Sequence, residues 1–149
     1  METISMTIKQ ALKAKNQLVS EIQELTLLIR TSNSIIVGNK RDYEVSTLMM
    51  ELDSKILDLI NLKAKIQRAN TPVLEKIYLL SELKNKVTAY KAIDTSEGRQ
   101  RNLYGNPSEP ISMEVELSKS TVRDIIKGIE SEIIEIQDAL DTFNAVTHI

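Results

Sequence analysis

From Val122 to Phe143 the chain sets apolar residues at alternating steps of four and three: Val122, Ile126, Ile129, Ile133, Ile136, Leu140 and Phe143. An α-helix turns about once per 3.6 residues, so this spacing lays all seven side chains along one stripe. A strand would throw them alternately to both faces. The stripe is the a/d seam of a heptad repeat, and it needs an apolar partner to cover it. Ser118 or Ser120 can cap the start of this helix by accepting hydrogen bonds from its first free N–H groups.

Three earlier segments share the pattern. The first helix is predicted from about Thr7 to Thr31, with Ile8, Ala11, Lys15, Leu18, Ile22, Leu25 and Ile29 on its seam. Leu12, Val19 and Leu28 widen that stripe, as a bundle requires. Asn33 and Gly38 bracket a turn that holds Ile35, Ile36 and Val37. The second helix is predicted from about Tyr43 to Ala69, capped by Asp42, with Val45, Met49, Leu52, Ile56, Leu59, Lys63 and Ile66 on its seam. Pro72 cannot continue that helix without losing a backbone bond, but it suits the first position of a new one, which Thr71 can cap. The third helix is predicted from about Pro72 to Ile93, carrying Val73, Ile77, Leu80, Leu83, Val87 and Tyr90. Short connections make successive helices antiparallel neighbours.

Asp94 to Ser112 breaks the pattern with Gly98, Gly105, Pro107 and Pro110. Ile111, Met113, Val115 and Leu117 then alternate with polar residues, which reads as a short strand. A lone strand is not stable, and a copy of itself in another subunit is one candidate partner. The expectation is an all-α protein: an antiparallel helical bundle or coiled coil of about four helices, with one short β-strand before the last helix. It forms a single helical domain over residues 1–149. Three antiparallel helices occupy 7–93, a polar loop and short strand 94–117, and the C-terminal helix 118–147.

Composition narrows the function. Cysteine is absent, which removes thiolate nucleophiles, disulfides and cysteine-ligated zinc. His148 is the single histidine, so no multi-histidine metal site forms within one chain. Nineteen basic against 21 acidic residues leave a net charge of −2, which is no footprint for a nucleic-acid polymer. No apolar run nears the roughly 18–20 residues of a membrane span. Met1 to Gln10 lacks a basic region followed by an apolar core, so a cytoplasmic protein without a membrane role is expected. The carboxylate pairs Glu130/Glu135 and Glu114/Glu116 do not share a helix face or a ready partner, and phosphate-loop, dinucleotide and EF-hand spacings are missing. We expect no catalytic residue, no cofactor and no metal.

Two sets of side chains invite a binding reading. Lys15, Lys63 and Lys84 lie on or beside apolar seams, where they either stretch to solvent or present a cation to a ligand. The stretch Gly98–Asn106 holds Arg99 and Arg101, which can clamp a phosphate or carboxylate, Tyr104, which can stack on a ring, and Asn102, which can read a polar edge. These same residue types also make an ordinary solvated loop. Asn39-Lys40-Arg41 is a second, weaker basic spot.

The order of several short segments resembles a known family. Ala11-Leu12 and Leu18 open the first helix and Asn33 ends it; Leu48, Glu51-Leu52-Asp53 and Leu59-Ile60 form the second. Ile66-Gln67-Arg68-Ala69-Asn70-Thr71 looks like the family's helix end, and Tyr104, Ser108 and Glu109 look like its tyrosine-serine-arginine-serine-glutamate segment, with Gly105-Asn106-Pro107 where that segment has its arginine. Ile136-Gln137, Leu140-Asp141 and Asn144 resemble its closing helix. On these residues, from about Thr7 to His148, the chain resembles the septicolysin-like family of small bacterial helical proteins of unassigned biochemical function. The resemblance implies a helical fold and an oligomer rather than an activity. The expected function is that of a non-catalytic helical homo-oligomer acting by binding or assembly, with itself as partner. The alternative is an oligomeric sensor or sponge that captures a small anionic, nucleotide-type molecule through Arg99, Arg101, Asn102 and Tyr104 at subunit junctions.

Overall fold

The computed structural model describes residues 5–149, so the start of the expected 1–149 domain and part of the Met1–Gln10 reading lie outside the described residues. Its helices are α1 (Ile8–Ser32), α2 (Val45–Ala69), α3 (Leu74–Lys91) and α4 (Lys119–Val146), with a short 3-10 turn at Thr71–Val73. Between α3 and α4 lie the strands β1 (Gly98–Gln100) and β2 (Ile111–Met113). The all-α class and the helix order read from the spacing are those of the molecule.

The chain divides into two compact units. One comprises the residues up to Leu74 together with Asp141–Ile149, the other Glu75–Leu140.

In the first unit α1 and α2 form an antiparallel pair. The Lys55 ammonium on α2 meets the Glu21 carboxylate on α1 at 2.8 Å. Nearer the start of α1, Leu12 and Lys15 share a cavity with Lys63 and Ile66 of α2, so the numbering runs in opposite senses along the two helices. Thr7 starts α1 with reciprocal bonds: its hydroxyl accepts from the Gln10 N–H at 3.2 Å, and its own N–H donates to Gln10 Oε1 at 2.9 Å. The tail closes over this helix start. The Ile8 N–H donates to the Thr147 carbonyl at 2.8 Å, and the Ile149 N–H donates to the Met6 carbonyl at 2.9 Å. Under this clasp Ile8 and Ala11 are fully buried. At the other end of α1 the Arg41 guanidinium donates to the Ser32 and Asn33 carbonyls at 2.9 and 3.1 Å. Those carbonyls have no partner within the helix, so the arginine of the second basic spot serves as a C-terminal cap.

Helix α2 corrects the expected seam. Val45, Leu48, Leu52, Leu59, Leu62 and Ile66 are buried or half-buried, while Met49, Ile56 and Lys63 stand exposed. Two heptad registers overlap here and share Val45, Leu52, Leu59 and Ile66. The register adopted puts Lys55 in mid-seam, where Glu21 receives its charge. Two expected caps also fail. Glu44, not Asp42, is the N-cap of α2, and its carboxylate accepts from the Ser46 hydroxyl rather than from the helix backbone. Thr71 caps nothing; Pro72 lies in the 3-10 turn that precedes α3, whose N-cap Asn70 makes no side-chain capping bond.

In the second unit α3 and α4 pair through Leu83, Val87, Val122, Ile126 and Ile129, with Tyr90, Ile133 and Ile136 packed against them. The faces expected for both helices are the buried ones. Ser118 caps α4, its hydroxyl accepting from the Thr121 N–H at 3.1 Å. The strand expected over Ile111–Leu117 is shorter, and its partner lies in the same chain. β2 pairs antiparallel with β1, with Gly98 opposite Met113 and Gln100 opposite Ile111. Gly98 at φ +79° supplies the backbone turn that enters the hairpin. No second subunit is needed to satisfy this strand.

Candidate functional site

The hairpin holds the four residues read as a ligand clamp. Arg99 lies on β1 opposite Ser112, and Arg101 follows the strand; both are exposed. Tyr104, 97% exposed, touches little of the fold. Asn102 works locally: its Oδ1 accepts from the Tyr104 N–H at 3.1 Å, a turn closed by a side chain. A Cβ on Gly105 would come within 2.8 Å of Asn102 Nδ2, so this glycine makes room for that turn. Asn106 repeats the device, accepting from both the N–H and the hydroxyl of Ser108. The clamp residues are therefore neighbours along a hairpin loop, and none of them lines the cavities described below.

The seam lysines divide. Lys84 is exposed on α3. Lys15 and Lys63, from facing helices, line one cavity of about 550 Å³ together with Leu12, Ala64, Ile66, Gln67 and Asn70. Asn70 Oδ1 is buried away from solvent and has no hydrogen-bond partner among the described residues. The sequence presents Gln67 and Asn70 only as part of a helix end, because nothing in spacing marks an amide there as a cavity wall. A second cavity of similar size lies between Glu21, Leu25, Leu28, Glu51 and Lys55. Its central charges satisfy each other. The Lys55 ammonium, and after it the Gln17 amide, hold the Glu21 carboxyl below the usual carboxylate range. The Glu21 carboxylate in turn holds the Lys55 ammonium above its ordinary value. Asp94 is also lowered, by the hydroxyl and then the backbone N–H of Ser96, in an exposed loop.

An exposed apolar surface lies on α2. Met49, Met50, Ile56, Leu57 and Ile60 are exposed, Met50 by 74% and Leu57 by 59%. At about 100° per residue they form a second stripe, roughly 120° round the helix from the seam that packs on α1. The charges of this helix are also sorted. Glu51, Asp53 and Asp58, with Lys55 among them, precede Lys63, Lys65 and Arg68 of the last turns, which hold no acid. The first turns of helix α1 carry Lys9, Lys13 and Lys15, with no acidic residue before Glu21 along the helix, and Lys15 shares a cavity with Lys63. Among the described residues no group of three or more histidine, cysteine or acidic residues could hold a metal ion. Among them, too, no helix is long and apolar enough to cross a membrane.

No family model matches the chain. No curated protein matches it either. Among solved structures, the chain is similar to the crystal structure of a functionally unknown conserved protein from Corynebacterium diphtheriae. The TM-score is 0.80 at 15% sequence identity, over 97% of this chain and 99% of that one. Two sequences that differ at most positions thus share one helical fold over nearly their whole lengths.

Proposed function

We propose that this protein acts by assembly rather than catalysis, as a helical homo-oligomer whose elementary contact joins α2 of one copy to α2 of a second in antiparallel sense. The second stripe of α2 carries this reading. A helix already anchored to α1 has no use for Met49, Met50, Ile56, Leu57 and Ile60 within its own fold, and large apolar side chains gathered in one exposed band mark an interaction surface. The sorted charges select the occupant. Antiparallel pairing about a two-fold axis near Ile56 and Leu57 sets Glu51 and Asp53 of each α2 toward the basic last turns of the other. A parallel pair would oppose like charges. At 1.5 Å per residue the helix is about 37 Å long, enough for a contact approaching the roughly 800 Å² per partner of a stable interface. The resemblance to septicolysin-like proteins, which implies an oligomer without an assigned activity, fits the same reading. The test is sedimentation of the parent chain beside Leu57→Lys and Ile60→Lys. Dimers that these exposed substitutions dissociate, with helical content unchanged, support the proposal. A parent that sediments as a monomer overturns it.

A further inference from the structure

Asp53 is the one charged residue at the centre of the exposed apolar stripe of α2. At about 100° per residue, Glu51, Lys55, Asp58 and Lys65 fall on other faces of the helix, and Lys63 and Arg68 lie on the flanks of the stripe. The residues three and four positions from Asp53 along its own helix are Met49, Met50, Ile56 and Leu57, all large, apolar and exposed. No ion pair or hydrogen bond engages its carboxylate among the described residues. In the single chain water solvates this charge. Once the stripe is covered by a partner, water is lost, and a carboxylate buried without a cation is strongly destabilising. A partner that fits this surface must therefore bring a positive charge to the middle of an apolar contact.

On the basis of the assembly proposed for α2, we infer that Asp53 selects the antiparallel sense of the contact by pairing with Lys63 of the second copy. A two-fold axis between Ile56 and Leu57 sets Asp53 level with the partner's Ile60. The partner's Lys63 is then about 4.5 Å further along the axis, less than one helical turn. Lys63 is exposed on the flank of the stripe, and no ion pair engages it among the described residues. Its stem can lie along the apolar band while the ammonium reaches the carboxylate. Lys65 lies on another face, and Arg68 is about 7.5 Å beyond Lys63 along the helix. Symmetry forms the pair twice, once on either side of the axis. A parallel two-fold pair instead sets Asp53 against its own copy, two carboxylates face to face in an apolar band. A single polar residue in an apolar seam specifies how helices associate at the expense of affinity, which is the role the position gives Asp53.

The experiment is sedimentation of the parent chain and of charge-reversed variants at micromolar concentration. Asp53→Lys should dissociate the parent dimer, and Lys63→Glu should weaken it about tenfold or more. The two substitutions in one chain should restore association, which a residue needed only for folding would not do. Asp53→Leu completes the apolar band and should associate about tenfold more tightly, with its orientation no longer fixed. Orientation is read from a spin label on a cysteine introduced at Thr47, on an exposed face of α2 away from the stripe, in a chain that has no other cysteine. The antiparallel pair separates two such labels by about 28 Å along the helix axis, whereas a parallel pair sets them level. The parent should give the long distance alone, and Asp53→Leu should add a short one. Asp53 and Lys63 are exposed in the single chain, so circular dichroism should show unchanged helix in every variant. A dimeric parent that Asp53→Lys leaves intact, or a doubly substituted chain that stays dissociated, overturns the inference and leaves the assembly reading in place. So does Asp53→Leu with the long distance alone. A parent that sediments as a monomer overturns the assembly reading itself, and this pairing with it.

Discussion

Ile129 and Ile134 show how much one residue's place matters. Both are isoleucines of α4, five positions apart. Ile129 is buried in the core cluster, whereas Ile134 is 61% exposed. Ile129→Ala removes packed methyl groups and leaves a cavity, so it should cost about 2–5 kcal/mol by denaturant titration. Ile134→Ala should stay within about 0.5 kcal/mol. The Glu21–Lys55 pair yields a prediction with a sign. The carboxyl of Glu21 is lowered on folding, so its contribution is present above the unfolded carboxylate range and is lost as pH falls through the folded value. The ammonium of Lys55 is raised, so its contribution is present below the ordinary lysine value and is lost as pH rises through the folded one. Parent and Glu21→Gln should therefore differ most in thermal midpoint between those limits and converge toward acid. Both partners are about one-third exposed, and the difference should shrink with salt. A midpoint difference that persists in acid would contradict this account of the pair.

At the scale of elements, sequence legibility depended on how many registers a pattern allows. Helix α4 has one apolar stripe, and every residue placed on it from spacing is buried or half-buried. Helix α3 behaves alike. Helix α2 has two stripes, each interrupted by one lysine, Lys63 in the expected register and Lys55 in the one adopted, so periodicity alone does not choose between them. What decides between them is a glutamate on another helix, which no reading of α2 by itself can contain. The hairpin failed for a similar reason. Period-two alternation found Ile111 and Met113, but the partner Gly98–Gln100 is too short and polar to signal a strand. The same loop was legible in chemistry and not in geometry: Arg99, Arg101, Asn102 and Tyr104 are present, but the asparagine closes a local turn and the tyrosine stands in solvent. The Lys15–Lys63 cavity was half legible. The two lysines drew notice by lying on seams, and only the antiparallel pairing of α1 with α2 brings them to one place. Gly98→Val puts a branched side chain at φ +79°, a strained conformation for any residue with a Cβ. Hydrogen exchange should then show the amides of β1 and β2 losing protection while those of α3 and α4 keep theirs. Unchanged strand protection would mean that Gly98 does not set the hairpin.

The whole molecule combines a well-buried pair, α3 with α4, and a pair, α1 with α2, that leaves a second apolar band in the open. It shares its fold with the Corynebacterium diphtheriae protein at 15% identity. Function on this reading follows from the uncovered band and from the sorting of charge along α2. Salt enters as a second variable: raising ionic strength should weaken a contact oriented by those charges. The most direct measurement is sedimentation equilibrium of the parent chain and of Leu57→Lys at micromolar concentration. The account predicts a parent of twice the 16.8 kDa chain mass or more, and a variant that sediments as a folded monomer. A parent of single-chain mass, or a variant of the same mass as an associated parent, would contradict it.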